Sequence, residues 1–503
     1  MEVTLDYMAR RAANKFPDHT ALIFEDQYLT YADFDERFNR MANGLLALGL
    51  AKGDRVGVLM GNCPEYMDCI FGIARAGGVF LPLNNRFKAK ELAYVLNKSE
   101  AKFLIYEEEF QESIEQLKQM TRVEKYICAG QSDNLDYHQE LQCASAAEVP
   151  CRVSGPDTAM IMFSSGTTGN PKGVCAAHQG LVWNCVNLKH NYDWNGEDIL
   201  FTPTPMFHVG ALSRAFVACY VGAAQLVTRQ FKPEPYLQLL EKEKVTITAL
   251  VATMFTMVRL LPNADQYDVS AVREITLGAA PTPLALLKKV CAFFPNAKVW
   301  NAYGLTEHPS AAAMRVDQFP PKMNSVGKPF LNVEIKIVDD QKRPLPAGEV
   351  GEICLRGPVV MQGYFADEKA TREALHGDWL HTGDLGRMDE EGYLYIADRI
   401  KDMIISGGEN IYSKEIEDVL YQHEGVADAA VIGVEDELWG ETVRAIIQPR
   451  PGAQLTEEEI VAFCAERLAG YKKPKSVIFV DEMPKTATNK ILKRELREKY
   501  GRS

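Results

Sequence analysis

The residues best suited to chemistry begin in one stretch, Ser164-Ser165-Gly166-Thr167-Thr168-Gly169-Asn170-Pro171-Lys172-Gly173, which follows the apolar run at 160–163. The run is short and bounded by turn residues, which predicts a buried strand, and the glycines let the following loop bend tightly. Hydroxyls, exposed backbone N–H groups and one ammonium together make a cradle for phosphate oxygens. The pattern is not a Walker loop, in which Gly-Lys-Ser/Thr opens a helix, because Pro171 precedes Lys172 and Gly173 follows it. Alone, the stretch is also the composition of an ordinary glycine-rich hairpin turn.

Further candidates follow in order: Pro205-Met206-Phe207-His208, Gly278-Ala279-Ala280-Pro281, Asn301-Ala302-Tyr303-Gly304-Leu305-Thr306-Glu307, Gly377-Asp378-Trp379-Leu380-His381-Thr382-Gly383-Asp384, Asp398-Arg399-Ile400-Lys401-Asp402, Ser406-Gly407-Gly408-Glu409-Asn410-Ile411 and Pro484-Lys485-Thr486-Ala487-Thr488-Asn489-Lys490-Ile491-Leu492. Each has a bland reading by itself. Glu307 and Asp384 are then surface carboxylates, Lys490 a solvated lysine, Tyr303 a core aromatic and Gly407-Gly408 a turn. In this order and spacing, over essentially the whole chain, the set resembles the adenylate-forming superfamily of acyl-CoA synthetases, amino-acid adenylation domains and luciferases. The general look is that of a stand-alone acyl-CoA ligase.

The chemistry of that family explains the residue types. A carboxylate is a poor acyl donor, so it is first joined to the α-phosphate of ATP, and the acyl-AMP is then cleaved by a thiol, expected to be that of coenzyme A. Both steps build negative charge on oxygen, which positioned cations and N–H donors stabilise. The resemblance implies that Ser164, Ser165, Gly166, Thr167, Thr168, Gly169 and Lys172 cradle the β- and γ-phosphates. Thr306 bonds the α-phosphate, and Glu307 binds Mg²⁺, a hard ion suited to carboxylate oxygen. In the Asn301-Ala302-Tyr303-Gly304 stretch, Tyr303 stacks on adenine, with Gly278, Ala279 and Ala280 on its other side. Asp384 takes the ribose hydroxyls with help from Arg399, and Lys490 bridges the carboxylate and α-phosphate. Lys401 lies at a hinge that exchanges Lys490 for the Gly407-Gly408 loop beside the CoA tunnel.

By motif position, His208, Val209, Ser213, Gly278, Ala311 and Ala312 line the acyl pocket, with Trp183 and residues 253–255 nearby. His208 borders the pocket and the CoA entry, or is a satisfied structural histidine. Amino-acid adenylation domains typically carry Phe-Asp at that place to pair an α-ammonium, whereas this chain has Phe207-His208. Asn489 stands where the family usually has Gly before the catalytic lysine. Asn is the commonest other residue at positive φ. A hydrophobic carboxylate, foremost a fatty acid, is the expected substrate, with aryl and alicyclic acids as the alternative. A carrier-protein-loading enzyme and a non-catalytic nucleotide-binding regulator are the more distant readings.

These groups need a scaffold, and 503 residues exceed one ordinary core. Up to about residue 305, β-rich runs such as DRVGVLM, AKFLIYE, TITALVAT and KVWNAYG alternate with amphipathic stretches such as DFDERFNRMANGLLALG, the pattern of α/β layering. From about 326 the texture becomes Gly/Pro-punctuated strands, and from about 400 helices around a few strands. The expectation is a multidomain α/β protein. Residues 1–398 form a large N-terminal domain of layered α/β subdomains plus a β-rich subdomain, 399–402 a hinge, and 403–503 a small mobile α+β domain.

The net charge of -13 argues against a nucleic-acid partner. Eleven cysteines without a C-x-x-C pair fit neither a zinc site nor a disulfide framework, and a reducing cytoplasm is the expected home. The start of the chain shows no secretory h-region, and its end is not a peroxisomal address. The most apolar long stretch, 209–227, carries Ser213, Arg214 and Gln225 and is read as buried core rather than a membrane span. Expected partners are a small-molecule carboxylate, ATP and CoA, and a homodimer is the assembly that analogy suggests.

Overall fold

The computed structural model describes residues 3–501 apart from 165–170, 279–281, 318–321, 323 and 487–490. Runs that are apolar at nearly every position, such as Arg55–Leu59, Val79–Pro82 and Ile247–Leu250, become strands buried on both faces, as sheets covered on both sides by helices require. Among the described residues these runs build two large sheets. The first runs Lys328–Pro329, His308–Arg315, Lys298–Leu305, Glu274–Leu277, Ile247–Leu250, Ile199–Phe201, Ala224–Val227, Thr20–Phe24 and Gln27–Thr30. Its pairs from Lys298–Leu305 through Thr20–Phe24 are parallel. The second runs Gly363–Tyr364, Lys172–Ala177, Thr158–Ser164, Val79–Pro82, Arg55–Leu59, Phe103–Glu107, Lys125–Ala129 and Leu135–Asp136.

Helices Leu5–Lys15, Tyr31–Ala47, Pro64–Ala76, His178–Tyr192 and Val209–Val221 pack between the two sheets. One continuous core joins Phe38, Phe71 and Phe216 on those helices to Val56, Phe80 and Phe103 of the second sheet and Leu22, Leu200 and Ile247 of the first. Pro233–Lys242, Ala252–Arg259 and Leu284–Phe293 cover the outer face of the first sheet, and Ala89–Lys98 and Gln111–Met120 that of the second. Local signals agree with this layering. Thr30 caps Tyr31–Ala47 in a reciprocal capping box with Asp33, an arrangement whose loss to Ala costs about 1 kcal/mol.

A third sheet, of Glu334–Val338, Gly351–Arg356, Trp379–Met388 and Leu375–His376 with Leu394–Arg399 on Trp379–Met388, forms the β-rich subdomain. A fourth sheet takes its strands from Ile404 onward. Chain order and sheet membership thus change together between Arg399 and Ile404. The protein is a mixed α/β chain with a large N-terminal and a small C-terminal domain.

Three stretches differ in detail from their sequence pattern. TITALVAT is strand only to Leu250, and Ala252 already opens a helix whose Met254, Phe255 and Val258 face the core. Residues 209–227 are buried as expected, divided at Gly222 into a helix and the strand Ala224–Val227. The last helix begins only at Lys493, because Ile491 pairs with Lys485 in an isolated bridge. Among the described residues no helix is long and apolar enough to cross a membrane.

Candidate active site

The strand Lys298–Leu305 carries Asn301, Ala302, Tyr303 and Gly304 and returns through Thr306 and Glu307 into His308–Arg315, so those two residues form a hairpin tip. The register shifts between Tyr303 and Leu305, an irregularity that re-aims side chains beside the turn. A Cβ on Gly304 would stand 2.2 Å from the Pro309 carbonyl oxygen, so the returning strand excludes any side chain there.

On one side of this hairpin the Tyr303 hydroxyl donates to Asp384 Oδ2 at 2.6 Å, and Arg399 Nε stands 3.2 Å from Asp384 Oδ1. Asp384 and Arg399 oppose each other on paired strands of the β-rich subdomain, and Asp384 is only 5% exposed. Burial, then the Asp384 charge, holds the Tyr303 hydroxyl well above its ordinary pKa, which keeps it a donor.

On the other side the Tyr364 hydroxyl donates to Glu307 Oε1 at 2.9 Å, and Lys172 Nζ lies 4.9 Å from the centre of the Tyr364 ring. The two-residue edge strand Gly363–Tyr364 pairs with Lys172–Ala177, which brings Tyr364 and Lys172 together. Met361 N–H donates to the Glu307 carbonyl at 2.9 Å and fixes the hairpin tip against this segment. Burial and the Glu307 charge raise the Tyr364 hydroxyl pKa as well.

The other expected site residues are placed as follows. Asn301 is buried and donates to the Ser325 carbonyl at 3.0 Å, which secures the strand behind Tyr303. Ala302 opposes Ala313, and Gly278 follows the neighbouring strand Glu274–Leu277. His208 stands at the N-cap position of the helix Val209–Val221 without a side-chain capping bond, its ring centre 4.5 Å from that of Phe207, and Val209 and the buried Ser213 lie in the first turns of that helix. Ala311 and Ala312 are fully buried among Val174, Ile353 and Leu355, so in this conformer their methyls are enclosed in packing. Lys401 is exposed, and Gly407 and Gly408, at φ 60° and 86°, form the exposed tip of a hairpin in the C-terminal domain. Ser165, Gly166, Thr167, Thr168, Gly169, Ala279, Ala280 and Lys490 lie outside the described residues, as does the side chain of Ser164. Just before residues 487–490 the chain lines a cleft of about 550 Å³ with Arg86, Met483, Lys485 and Lys499, where the two domains meet.

Sequence reasoning misses Tyr364, Glu352 and the use of His381. The donor atoms of Glu352, Cys354 and His381 all lie within 4.8 Å of one another. Glu352 Oε2 and His381 Nδ1 are 2.6 Å apart, a hydrogen bond closer than the roughly 3.3 Å separating two ligands on one tetrahedral ion. Burial pushes the Cys354 thiol up to about 12, which keeps it protonated. In this structure the cluster is a hydrogen-bonded pair beside a buried thiol.

The model of the AMP-binding enzyme family matches residues 9–365, and that of the AMP-binding enzyme C-terminal domain matches residues 415–490. The chain is 37% identical over 499 residues to a feruloyl-CoA synthase from an Amycolatopsis species, covering 98% of each. It is 36% identical over 504 residues to a long-chain-fatty-acid–CoA ligase from Mycobacterium tuberculosis, covering 99% of this chain and 98% of that one. The crystal structure of an anthranilate CoA ligase in complex with anthranoyl-AMP superposes with a TM-score of 0.93 at 27% identity, over 99% of this chain and 97% of the other. With both domain models matched in order and relatives aligned end to end, the chain belongs to the AMP-binding enzyme family and is an AMP-forming acid–thiol ligase of the acyl-CoA synthetase type.

Proposed function

We propose that the protein activates a hydrophobic carboxylic acid with ATP and transfers the acyl group to coenzyme A. The observation that carries this reading is the hydrogen-bonded set Tyr303–Asp384–Arg399 on one side of the hairpin tip, with Glu307–Tyr364–Lys172 on the other. A carboxylate oxygen of the acid attacks the α-phosphorus, and the bond to the departing pyrophosphate breaks. The thiol sulfur then attacks the acyl carbonyl, AMP leaves with the bonding pair, and the thiol proton passes to solvent.

In this reading Asp384 accepts both ribose hydroxyls, and Arg399 and Tyr303 orient it. Thr306 donates to the α-phosphate from the hairpin tip, and Lys172 stands by the outer phosphates. Glu307 suits Mg²⁺, since Tyr364 engages one carboxylate oxygen and leaves the other for a hard ion that usually takes one or two carboxylates with substrate phosphates. Bound there, the ion would neutralise phosphate charge. Lys490 supplies the cation between the two reacting anions. Lys490→Ala should lose about two orders of magnitude or more of carboxylate-dependent ATP–pyrophosphate exchange while still converting supplied acyl-AMP and CoA to thioester. Equal loss of both half-reactions would remove that role.

For the acid, the small and apolar positions Val209 and Gly278 support an alkyl chain, whereas Ala311 and Ala312 are enclosed in packing. A fatty acid ligase should then gain roughly fourfold in kcat/KM per added methylene from butanoate upward until the pocket ends. A second reading, an aryl or alicyclic acid, is supported by an aromatic group around Trp300, three residues before Tyr303 on its strand. Tyr192 stacks on Trp194 and meets Trp300 edge-on, each at 5.0 Å, and Arg214 nearby has an Nε with no hydrogen bond among the described residues. A carboxylate panel scored by AMP release separates the two. A rising alkanoate ladder supports the fatty reading, and a sharp preference for benzoate or cinnamate over every alkanoate supports the aryl one.

A further inference from the structure

We infer that Glu352, together with His381, is a positioning pair for the nucleotide site: it fixes the Gly383 peptide and so sets the direction in which Asp384 faces ATP. The inference rests on the ribose role proposed above for Asp384. Its starting point is a defect in the sheet. Along the paired strands Gly351–Arg356 and Trp379–Met388, Glu352 opposes Leu385 while Cys354 opposes His381, so residues 382–384 face only Ile353 and bulge out of the ladder. Bulges of this kind re-aim a side chain next to a site. They also strip backbone groups of their ordinary partners, and a partly buried N–H left unpaired is costly.

Each polar group around this bulge has a replacement partner. Gly383, at φ 70°, donates its N–H to Glu352 Oε1 at 3.0 Å and accepts from Ile400 N–H at 3.0 Å. Asp384 N–H donates to Thr382 Oγ1 at 3.1 Å, and that hydroxyl donates to the Ile353 carbonyl at 2.8 Å. Glu352 is itself held, because its Oε2 meets His381 Nδ1 at 2.6 Å with the His381 side chain only 7% exposed. The His381 ring is in turn set edge-on against His376, centre to centre 4.6 Å. Glu352 therefore replaces the missing ladder acceptor for the residue immediately before Asp384. Through its carbonyl, on the next peptide, Gly383 also accepts from Ile400 N–H, so the carboxylate that faces the nucleotide and the first residues of the expected hinge share one anchor.

The test uses the full chain with ATP, AMP and a turned-over carboxylate. Glu352→Ala should raise the KM for ATP and the Kd for AMP about tenfold, the scale of one charge-assisted hydrogen bond. The kcat at saturating ATP and the KM for the carboxylate should stay within about twofold. Glu352→Gln should recover most of the nucleotide affinity, since its carbonyl can still accept from Gly383 N–H. His381→Ala, which removes only the outer support, should give an intermediate rise of about threefold and serves as the reading if the Glu352→Ala protein does not fold. An unchanged ATP KM in Glu352→Ala, or a fall in kcat and both substrate affinities together with no rescue by Gln, overturns the inference. Asp384→Ala is measured in parallel: if it leaves the ATP KM unchanged the ribose reading itself has failed, whereas a large rise there beside an unchanged Glu352→Ala defeats the positioning role alone.

Discussion

The Tyr303 hydroxyl and the Asp384 carboxylate meet at 2.6 Å although 81 positions separate them, and the contact joins the large parallel-centred sheet to the β-rich subdomain. With Arg399 Nε on the other oxygen, the carboxylate is oriented by two donors before any nucleotide arrives. Tyr303→Phe keeps the ring and removes one donor, and should raise the ATP KM about tenfold, since a hydrogen bond to a charged group contributes about 1.5 kcal/mol or more. Asp384→Ala should exceed that. If Tyr303→Phe leaves the ATP KM where it was, the tyrosine only packs.

Tyr364 bears on the metal requirement in the same way. Tyr364→Phe deletes the hydrogen bond to Glu307 Oε1 while retaining the aromatic face below Lys172. The Mg²⁺ concentration giving half-maximal pyrophosphate exchange should shift by about threefold to tenfold, with little change in melting temperature. A shift confined to the carboxylate KM would detach Tyr364 from Glu307.

How far these groups can be read from the sequence depends on where their partners come from. Asp384 and Arg399 stand out because each sits in a compact local pattern. The doubly buried runs, such as Arg55–Leu59, signal their sheet through continuous apolar residues. Tyr364 is invisible there because its strand has two residues and exists only by pairing with Lys172–Ala177. The strand His308–Arg315 is likewise not legible. Its three successive alanines carry little strand preference, so pairing with Lys298–Leu305 decides its form. In TITALVAT the β-branched residues give no stop signal at Leu250, and the helix after it is set by burial of Met254, Phe255 and Val258. Glu352 escapes notice because its task is to repair a bulge, which local sequence does not mark.

Glu274 ties pH to stability. It is fully buried, the Trp194 indole N–H donates to its Oε1, and burial outweighs the pull of Arg273 and Lys298 to lift the carboxyl from 4.5 to about 8. A folded-state pKa above the unfolded one means that the unfolded chain has fewer bound protons between those values, so stability is full below about pH 4.5 and declines as pH rises toward 8. Glu274→Gln keeps an acceptor for Trp194 and removes the titration. Its gain over the parent should be negligible near the acid end and reach about 5 kcal/mol at the alkaline end. Melting temperatures at the two ends, at one salt concentration, measure this. A difference independent of pH would assign the effect to packing.

The junction between the domains carries the last prediction. Asp398 accepts from the Ser413 hydroxyl at 2.8 Å and from its N–H, Lys493 Nζ donates to the same hydroxyl at 2.6 Å, and Arg497 Nη2 stands 2.7 Å from Asp402 Oδ1. Both ends of the 398–402 segment are thus held by C-terminal helices, while Ile400 is 45% exposed and Lys401 lies on the surface. If the domain turns about this segment between the two half-reactions, the change in dihedral angles has to fall on the two residues least tied down. Proline at 401 fixes φ near −65° and biases Ile400 toward extended backbone. Lys401 N–H makes no backbone hydrogen bond among the described residues, but Asp402 and Met403 N–H both donate to the Arg399 carbonyl, at 2.9 and 3.0 Å, across Ile400 and Lys401. The proline therefore loosens this turn as well as limiting its motion, and a melting temperature is read beside the rates. Lys401→Pro should therefore keep ATP–pyrophosphate exchange within about threefold of the parent and lower thioester formation from acyl-AMP by about tenfold or more. Stopped-flow measurement of the two half-reactions on one preparation reads this directly, and equal retention of both would place the pivot elsewhere.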